Sequence, residues 1–166
     1  MLGLWSVSGF PVAPWRVVAQ VEGDVLRCTV TELRNVFDQS SDLRDLLQRS
    51  SLSQAFLMSQ SILCNRFHEL PQRAARWPLI VRAKSGRQPL PMTQEFSSQM
   101  LGVHRPSVTL ALQTLAEAGL IRTEGRGRIR ILDAQGLEDS SCACFRRAED
   151  FRNAVMGGGA GSWSPS

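Results

Sequence analysis

The segment from Thr93 to Leu132 constrains the fold more than any other part of this sequence. It contains two stretches in which apolar residues recur at helical spacing, the first ending at Gly102 and the second at Gly119. The three-residue turn GVH, which starts at Gly102, lies between them. Thr93 can cap the first helix, because its hydroxyl oxygen can accept a hydrogen bond from a first-turn amide. A three-residue turn sets two helices at a steep angle to each other. The pattern therefore predicts a helix-turn-helix.

The second predicted helix has one apolar face and one outward face. The apolar face repeats at helical spacing and consists of Val108, Ala111, Leu112 and Leu115. The amino-terminal end of such a helix enters the major groove of DNA, where Arg105 can bond guanine through two hydrogen bonds and Ser107 can bond a base or a phosphate. The methyl group of Thr109 and the outward Leu110 can meet the methyl group of a thymine. We predict that these four residues read bases.

Two short strands follow this helix and are joined by a glycine-containing turn. Residues 120–123 and 128–132 combine isoleucine with arginine, and Gly125 and Gly127 permit a tight turn between them. Arginines beside a DNA groove can hold phosphates. The alternative is a helical hairpin followed by a basic loop that faces solvent. On the first interpretation, six residues are predicted to contact phosphates: Thr93, Gln94, His104, Arg122, Arg126 and Arg128.

Positive charge is concentrated in the same region. Residues 71–132 carry ten Lys/Arg against three Asp/Glu, a net charge of +7, whereas residues 1–70 and 133–166 have net charges of −1 and −2. A confined basic surface is typical of phosphate binding, and a merely solvated basic face is the alternative interpretation. The chain has 166 residues, of which 43% are apolar, and this is enough for one core or two small linked units.

The rest of the sequence predicts a mainly α fold with small β elements, which belongs to the α+β class. Two Val-rich runs near the start favour a β-hairpin or two short strands. The longest stretch without Gly or Pro predicts a long helix, but its serines interrupt the heptad of a strong coiled coil. The predicted elements are strands at 15–21 and 25–30, helices at 33–37, 42–70 and 74–83, a polar connection at 84–91, and a short helix at 133–148.

The cysteines and histidines do not form a recognisable metal-binding motif. Cys64 and His68 are four residues apart, which suits two ligands on one helix face, but no second pair stands at a recognisable distance. On a helix, Cys142 and Cys144 would point to different sides. We expect reduced thiols, no metal, no cofactor and no catalytic residue, so the chain is not predicted to be an enzyme. It has no apolar run long enough for a membrane span and no signal peptide, and we expect a cytoplasmic protein without a membrane partner.

The sequence resembles the Crp/Fnr family of transcription regulators. The resemblance is carried by TQEFSSQMLGVHRPSVTL at 93–110, EAGLI at 117–121 and the basic hairpin, and it extends to CNR at 64–66, ARWPL at 75–79 and CAC at 142–144. The base readers of the family map onto Arg105, Pro106 and Leu110, where the family pattern has arginine, glutamate and arginine. Only Arg105 matches, so Pro106 is added to the predicted base-reading residues and the preferred DNA sequence is expected to differ.

The resemblance also implies partners and a domain order. It implies a homodimer joined by the long helix, bound to a palindromic site on double-stranded DNA, with contact to RNA polymerase. The family's amino-terminal cyclic-nucleotide-binding-like β-barrel is expected to be nearly absent here. The implied domains are a barrel remnant at 1–40, a dimerisation helix at 41–70, a winged helix-turn-helix at 71–148 and a disordered tail at 149–166.

Cyclic AMP is not expected to bind this chain. Aligned to the family, the Gly-Glu pair of the phosphate-binding cassette falls on Gly3 and Leu4, and its Arg-Ser pair falls near Ala13 and Pro14. Without the arginine and the glutamate, a cyclic phosphate and its ribose lose their main polar partners. Two functions remain open: a sequence-specific DNA-binding regulator, and a shortened interaction protein that pairs with a full-length paralogue through residues 42–70 and modulates it.

Overall fold

The computed structural model describes residues 16–125 and 127–157, together with Gly3, Ser6, Phe10 and Val12. The described residues are mainly helical with one small sheet, which confirms the predicted fold class. The chain divides into a terminal unit, Met1–Leu57 with Asp150–Ser166, and a central unit, Met58–Glu149. The elements are α1 (Val30–Gln39), α2 (Ser41–Phe67), α3 (Leu70–Ser85), β1 (Leu90–Pro91), α4 (Gln94–Leu101), α5 (Arg105–Glu117), β2 (Ile121–Glu124), β3 (Arg128–Ile131), α6 (Ala134–Asp139) and α7 (Cys144–Met156).

The helix-turn-helix of the central unit consists of α4 and α5, as predicted. The hydroxyl oxygen of Thr93 accepts a hydrogen bond from the backbone N–H of Phe96 at 3.2 Å, and this begins α4. Gly102 ends α4 with a φ of +65°, a left-handed conformation that favours glycine. The predicted apolar face of α5 is buried: Val108, Ala111, Leu112 and Leu115.

The three strands form one antiparallel sheet in the order β1-β3-β2. β2 and β3 are the predicted hairpin, in which Ile121 faces Ile131 and Glu124 faces Arg128. Leu90, Ile121 and Ile129 are buried, so alternate residues of the strands face the core and the arginines between them face outward. The sequence predicted only a polar connection where β1 lies, because a two-residue strand has no periodicity of its own.

The terminal unit differs from its prediction at the amino-terminal end. α1 contains the predicted short helix and begins at a capping box, in which the Glu32 carboxylate accepts from the Thr29 N–H at 2.8 Å. The predicted strands at 15–21 and 25–30 are wrong over the described residues, since residues 16–29 form no strand. A two-stranded ribbon without a further sheet is at best marginally stable. Leu4, Ala13 and Pro14, on which the prediction about cyclic AMP depends, lie outside the described residues.

Helices run through most of the remaining chain. The predicted long helix is α2, and the predicted helix at 74–83 lies within α3, which contains Pro78. The single helix predicted at 133–148 is in fact two helices, α6 and α7, separated by residues 140–143. The predicted disordered tail at 149–166 is wrong over residues 149–156, which belong to α7. The Ser141 hydroxyl donates to the Glu138 carbonyl oxygen at 2.7 Å, which satisfies one of the last carbonyls of α6 where the chain turns. No described helix is long and apolar enough to cross a membrane.

Candidate nucleic-acid interface

The outward face of α5 is uncovered along its amino-terminal half. Arg105, Pro106, Ser107, Thr109 and Leu110 are all exposed, and the Leu110 side chain is 67% exposed although it is apolar. The opposite face of α5 is buried in the central unit, so these side chains lie on the solvent face of the helix. The five residues predicted to read bases therefore lie together on one accessible surface.

Arg105 does not project freely from this surface but pairs with a residue of α4. One of its terminal nitrogens lies 3.0 Å from a carboxylate oxygen of Glu95, and both side chains are more than half exposed. An exposed ion pair contributes only about 0–1 kcal/mol, so Arg105 can exchange this partner for a base at little cost. The sequence analysis missed this pair, and the only signal for it was the opposite charge of two residues flanking the turn.

Near the start of α5, the Thr109 hydroxyl is engaged in a hydrogen bond within the helix, whereas the His104 imidazole makes no capping hydrogen bond. The Thr109 hydroxyl donates to the Arg105 carbonyl oxygen at 3.1 Å, which leaves its methyl group as the outward contact. His104 is the residue before the first turn, but its imidazole makes no capping hydrogen bond and is exposed. An imidazole in this position is available to a phosphate.

The β2–β3 hairpin is held against the start of α4 by a close backbone approach. Gly127 has a φ of +70°, and its carbonyl oxygen accepts a hydrogen bond from the Met92 N–H at 2.8 Å. A Cβ atom built on Gly127 would lie 2.8 Å from a side-chain carbon of Thr93, so only glycine fits here. This contact brings the hairpin beside Thr93 and Gln94, two of the predicted phosphate-contacting residues.

The arginines of the hairpin share one carboxylate. Arg130 donates to Glu124 at 2.6 Å, and Arg122 lies 3.8 Å from the same oxygen. The hydrogen bond from Arg130 is the main cause that lowers the pKa of Glu124 below its ordinary value, so Glu124 stays charged. Arg128 is exposed at the start of β3, whereas Arg126 lies outside the described residues. Arg122 and Arg128 are thus the described hairpin arginines with the most accessible charge.

A groove of about 600 Å³ separates the hairpin from α5. Its walls come from the start of α4, from Thr109 and Gln113 on α5, and from Thr123 to Gly125 on the hairpin turn. The groove is lined by one predicted base-reading residue, Thr109, and by two predicted phosphate-contacting residues, Thr93 and Gln94. All ten of the predicted DNA-contacting residues that the structure describes are exposed.

A second group of side chains converges away from this surface. The ligand atoms of Cys64, His68, Cys142 and Cys144 all lie within 4.8 Å of one another. The expectation of no metal assumed that no second pair stood near Cys64 and His68, and that Cys142 and Cys144 diverged on a helix. Both assumptions are wrong, because Cys142 precedes α7 and only Cys144 belongs to it. Residues nearly 80 positions apart give no sequence signal of such proximity.

A comparison with protein families agrees with the helix-turn-helix geometry. Residues 63–140 match the family model described as a Crp-like helix-turn-helix domain. Among solved structures, the chain is similar at 24% identity and a TM-score of 0.49 to a transcriptional regulator of the Crp/Fnr family from Eubacterium rectale, over 67% of this chain and 51% of that chain. This chain thus spans about half the length of that structure. A search of curated proteins gave no match. The family match, together with the helix-turn-helix and hairpin geometry, shows that residues 63–140 of this chain contain a Crp-like helix-turn-helix domain.

Proposed function

We propose that this protein regulates transcription by binding a specific double-stranded DNA sequence, with α5 in the major groove and the β2–β3 hairpin on the neighbouring backbone. The observation that carries the proposal is the exposed amino-terminal half of α5, flanked by the groove and by the hairpin arginines. A helix supported on its buried face and open on its other face is suited to enter a groove about 12 Å wide.

Base reading is assigned to the exposed face of α5. Arg105 exchanges Glu95 for the O6 and N7 atoms of a guanine, and Ser107 bonds a base edge or a phosphate. Thr109 offers its methyl group, because its hydroxyl is held by the helix backbone, and Leu110 adds a second apolar contact. Pro106 is exposed in the first turn of α5 and belongs to the same proposed base-reading surface.

Phosphate contacts are assigned to residues that surround this face. Arg122 and Arg128 come from the hairpin, His104 from the turn, and Thr93 and Gln94 from the start of α4. Phosphate contacts position a protein on the duplex and make its affinity depend on salt. Arg126 belongs to the same proposal from its position in the hairpin turn.

Substitution of Arg105 tests base reading. We expect Arg105→Ala to weaken the preferred site by about 10- to 150-fold, the cost of a lost bidentate base contact, and to weaken unrelated DNA much less. Arg122→Ala should weaken all sequences alike and reduce the salt slope by about one. Arg34, an exposed residue of α1, gives the charge-matched control Arg34→Ala. Equal losses on specific and unrelated DNA for Arg105→Ala would contradict base reading by this residue.

A homodimer joined along α2 is the second part of the proposal. Several apolar side chains of α2 are exposed along its length, among them Ile62 at 70% and Phe67 at 69%. Two chains joined in this way present two α5 helices to half-sites about 10 bp apart, which requires a palindromic site. Analytical ultracentrifugation should show a dimer whose dissociation constant rises at least 10-fold in Ile62→Asp. A monomer that protects only one half-site would contradict it.

The same exposed residues of α2 favour a second candidate, in which the chain pairs with a longer paralogue. The two candidates separate in one experiment: the first requires sequence-specific binding by the purified chain alone, and the second requires a longer partner for it. Under the first candidate, DNA affinity should not change on addition of cyclic AMP, and RNA polymerase should be recruited to or excluded from the site. A cyclic AMP effect would contradict the proposed independence.

A further inference from the structure

The converging cysteines and histidine form a compact group in the central unit. Cys64 and His68 are one turn apart at the carboxyl end of α2, and the His68 backbone N–H donates to the Cys64 carbonyl oxygen at 3.1 Å. The Cys64 and Cys142 sulfur atoms are 3.4 Å apart, and the Cys144 sulfur lies 3.6 Å from Nδ1 of His68. The three thiols are buried and the imidazole is partly buried, so the group is closed on most sides.

These separations match the edges of one metal coordination sphere. With zinc–sulfur bonds of about 2.3 Å and zinc–nitrogen bonds of about 2.0 Å, a tetrahedral site places two sulfurs about 3.8 Å apart and a sulfur and a nitrogen about 3.5 Å apart. The observed distances of 3.4 and 3.6 Å lie close to these values, and no pair exceeds 4.8 Å. A single ion can therefore reach all four atoms after shifts smaller than one bond length.

A buried arginine that contacts α2 can offset the charge of such a site. Zinc bound by three thiolates and a neutral imidazole has a net charge of −1, which is costly to bury without compensation. Arg76 is 5% exposed, and its guanidinium donates a hydrogen bond to the neutral hydroxyl of Ser61 at 3.3 Å. Ser61 lies in α2 three residues before Cys64, so the guanidinium reaches α2 within about one helical turn of that cysteine.

We propose that Cys64, His68, Cys142 and Cys144 bind one Zn²⁺ ion in a closed tetrahedral site. Four protein ligands fill the coordination sphere, which is the arrangement of a structural site with no open position for a substrate. The ion joins the end of α2 to the start of α7 through the segment that follows α6. It also explains why three thiols and an imidazole are gathered around one point.

Two other uses of the same residues fit the structure less well. A disulfide between Cys64 and Cys142 would leave Cys144 and His68 beside it without a role, and all four cysteines of the chain are free. The ligands of a two-iron cluster bind two different irons, so they must spread further than the coordination sphere of a single ion. A group contained within 4.8 Å favours one ion.

Metal analysis of the full chain tests the proposal. Protein purified under reducing conditions without chelator should contain one zinc per chain by mass spectrometry of the metals. Replacement by Co²⁺ should give a visible spectrum with intense tetrahedral bands and thiolate-to-cobalt charge transfer. A thiol-specific mercurial should release the zinc into a chromogenic dye as three thiols react. Removal of the zinc should lower the Tm by about 10 °C.

Variants with matched controls identify the ligands. Cys64→Ser, His68→Ala, Cys142→Ser and Cys144→Ser should each weaken zinc binding at least 10-fold. Cys28→Ser and His104→Ala change the cysteine and the histidine outside the group and should retain one zinc per chain. The cobalt spectrum of the unaltered chain does not depend on any variant folding. Three results would overturn the proposal: reduced protein that binds no added zinc, iron with acid-labile sulfide in its place, or equal zinc loss in the controls.

Discussion

The central and terminal units differ in how they bury apolar side chains. Among the described residues, every buried apolar residue except Leu47 belongs to the central unit, whereas α1 buries no residue. Val25 and Leu26, which precede α1, are almost fully exposed. The central unit therefore holds its helix-turn-helix and hairpin on a core of its own. The terminal unit leaves apolar surface that a partner could cover, in keeping with the proposed dimer.

The largest expected effect comes from opening a cavity in the central core. Ile129 is 1% exposed, and Ile129→Ala should lower the free energy of unfolding by about 2–5 kcal/mol. Leu26→Ala removes a comparable side chain from the surface of the terminal unit and should change it by less than about 0.5 kcal/mol. Urea denaturation followed by circular dichroism measures both. Similar losses of stability in the two variants would show that the terminal unit also has a buried core, which would contradict the difference between the units.

A smaller effect is expected where the hairpin meets α4. Gly127→Ala forces a side chain into Thr93 at a left-handed φ, and we expect a loss of about 1–3 kcal/mol together with weaker DNA binding. Gly125→Ala is the matched control in the same turn, because a Cβ there has open space around it. Thermal unfolding and gel-shift titration measure the two quantities. Wild-type behaviour of Gly127→Ala would mean that the approach to Thr93 does not position the hairpin.

The two threonine caps compare the units at the level of a single hydrogen bond. Thr93→Ala should cost about 1 kcal/mol of global stability, because α4 is packed into the central core. Thr29→Ala removes an equivalent cap from α1, where no residue is buried, and should only reduce local helicity. Hydrogen exchange resolves local from global opening. If Thr29→Ala lowered the global stability as much as Thr93→Ala, the two caps would contribute equally and the proposed difference between the units would be wrong.

The smallest effect concerns two carboxylates whose pKa values are lowered for different reasons. The hydrogen bond from Arg130 lowers the pKa of Glu124 in the central unit, and the Thr29 backbone N–H lowers that of Glu32 in the terminal unit. Because each folded pKa lies below the unfolded value of 4.5, the stabilisation is present above pH 4.5 and is lost as the pH falls through the folded pKa.

Salt separates the two causes. At 1 M NaCl the pKa of Glu124 should return toward 4.5 more than that of Glu32, because an exposed ion pair is screened more strongly than a hydrogen bond to the backbone. Carboxyl-carbon NMR titrations at low and high salt measure both. Equal salt responses would assign the two shifts to the same kind of interaction.

Local signals explain which elements could be predicted from the sequence. The cap at Thr93, the left-handed Gly102 and the apolar repeat of α5 each act within a few residues, and the structure has them as predicted. The hairpin could be predicted from the alternation of isoleucine and arginine in its two strands. By contrast, the strands predicted at 15–30 required a sheet to join, and the described residues of that segment form no strand.

The sequence alone determined the helix-turn-helix, the hairpin and the surface of α5, because these depend on periodicity, caps and glycines that are close together in the chain. Only the tertiary structure decided that β1 adds to the edge of β3, that Glu95 holds Arg105, and that two cysteines at 142 and 144 meet Cys64 and His68. Each of these contacts joins residues whose separation along the chain carries no periodic signal. Their proximity follows from the tertiary packing of the central unit, to which all of these residues belong.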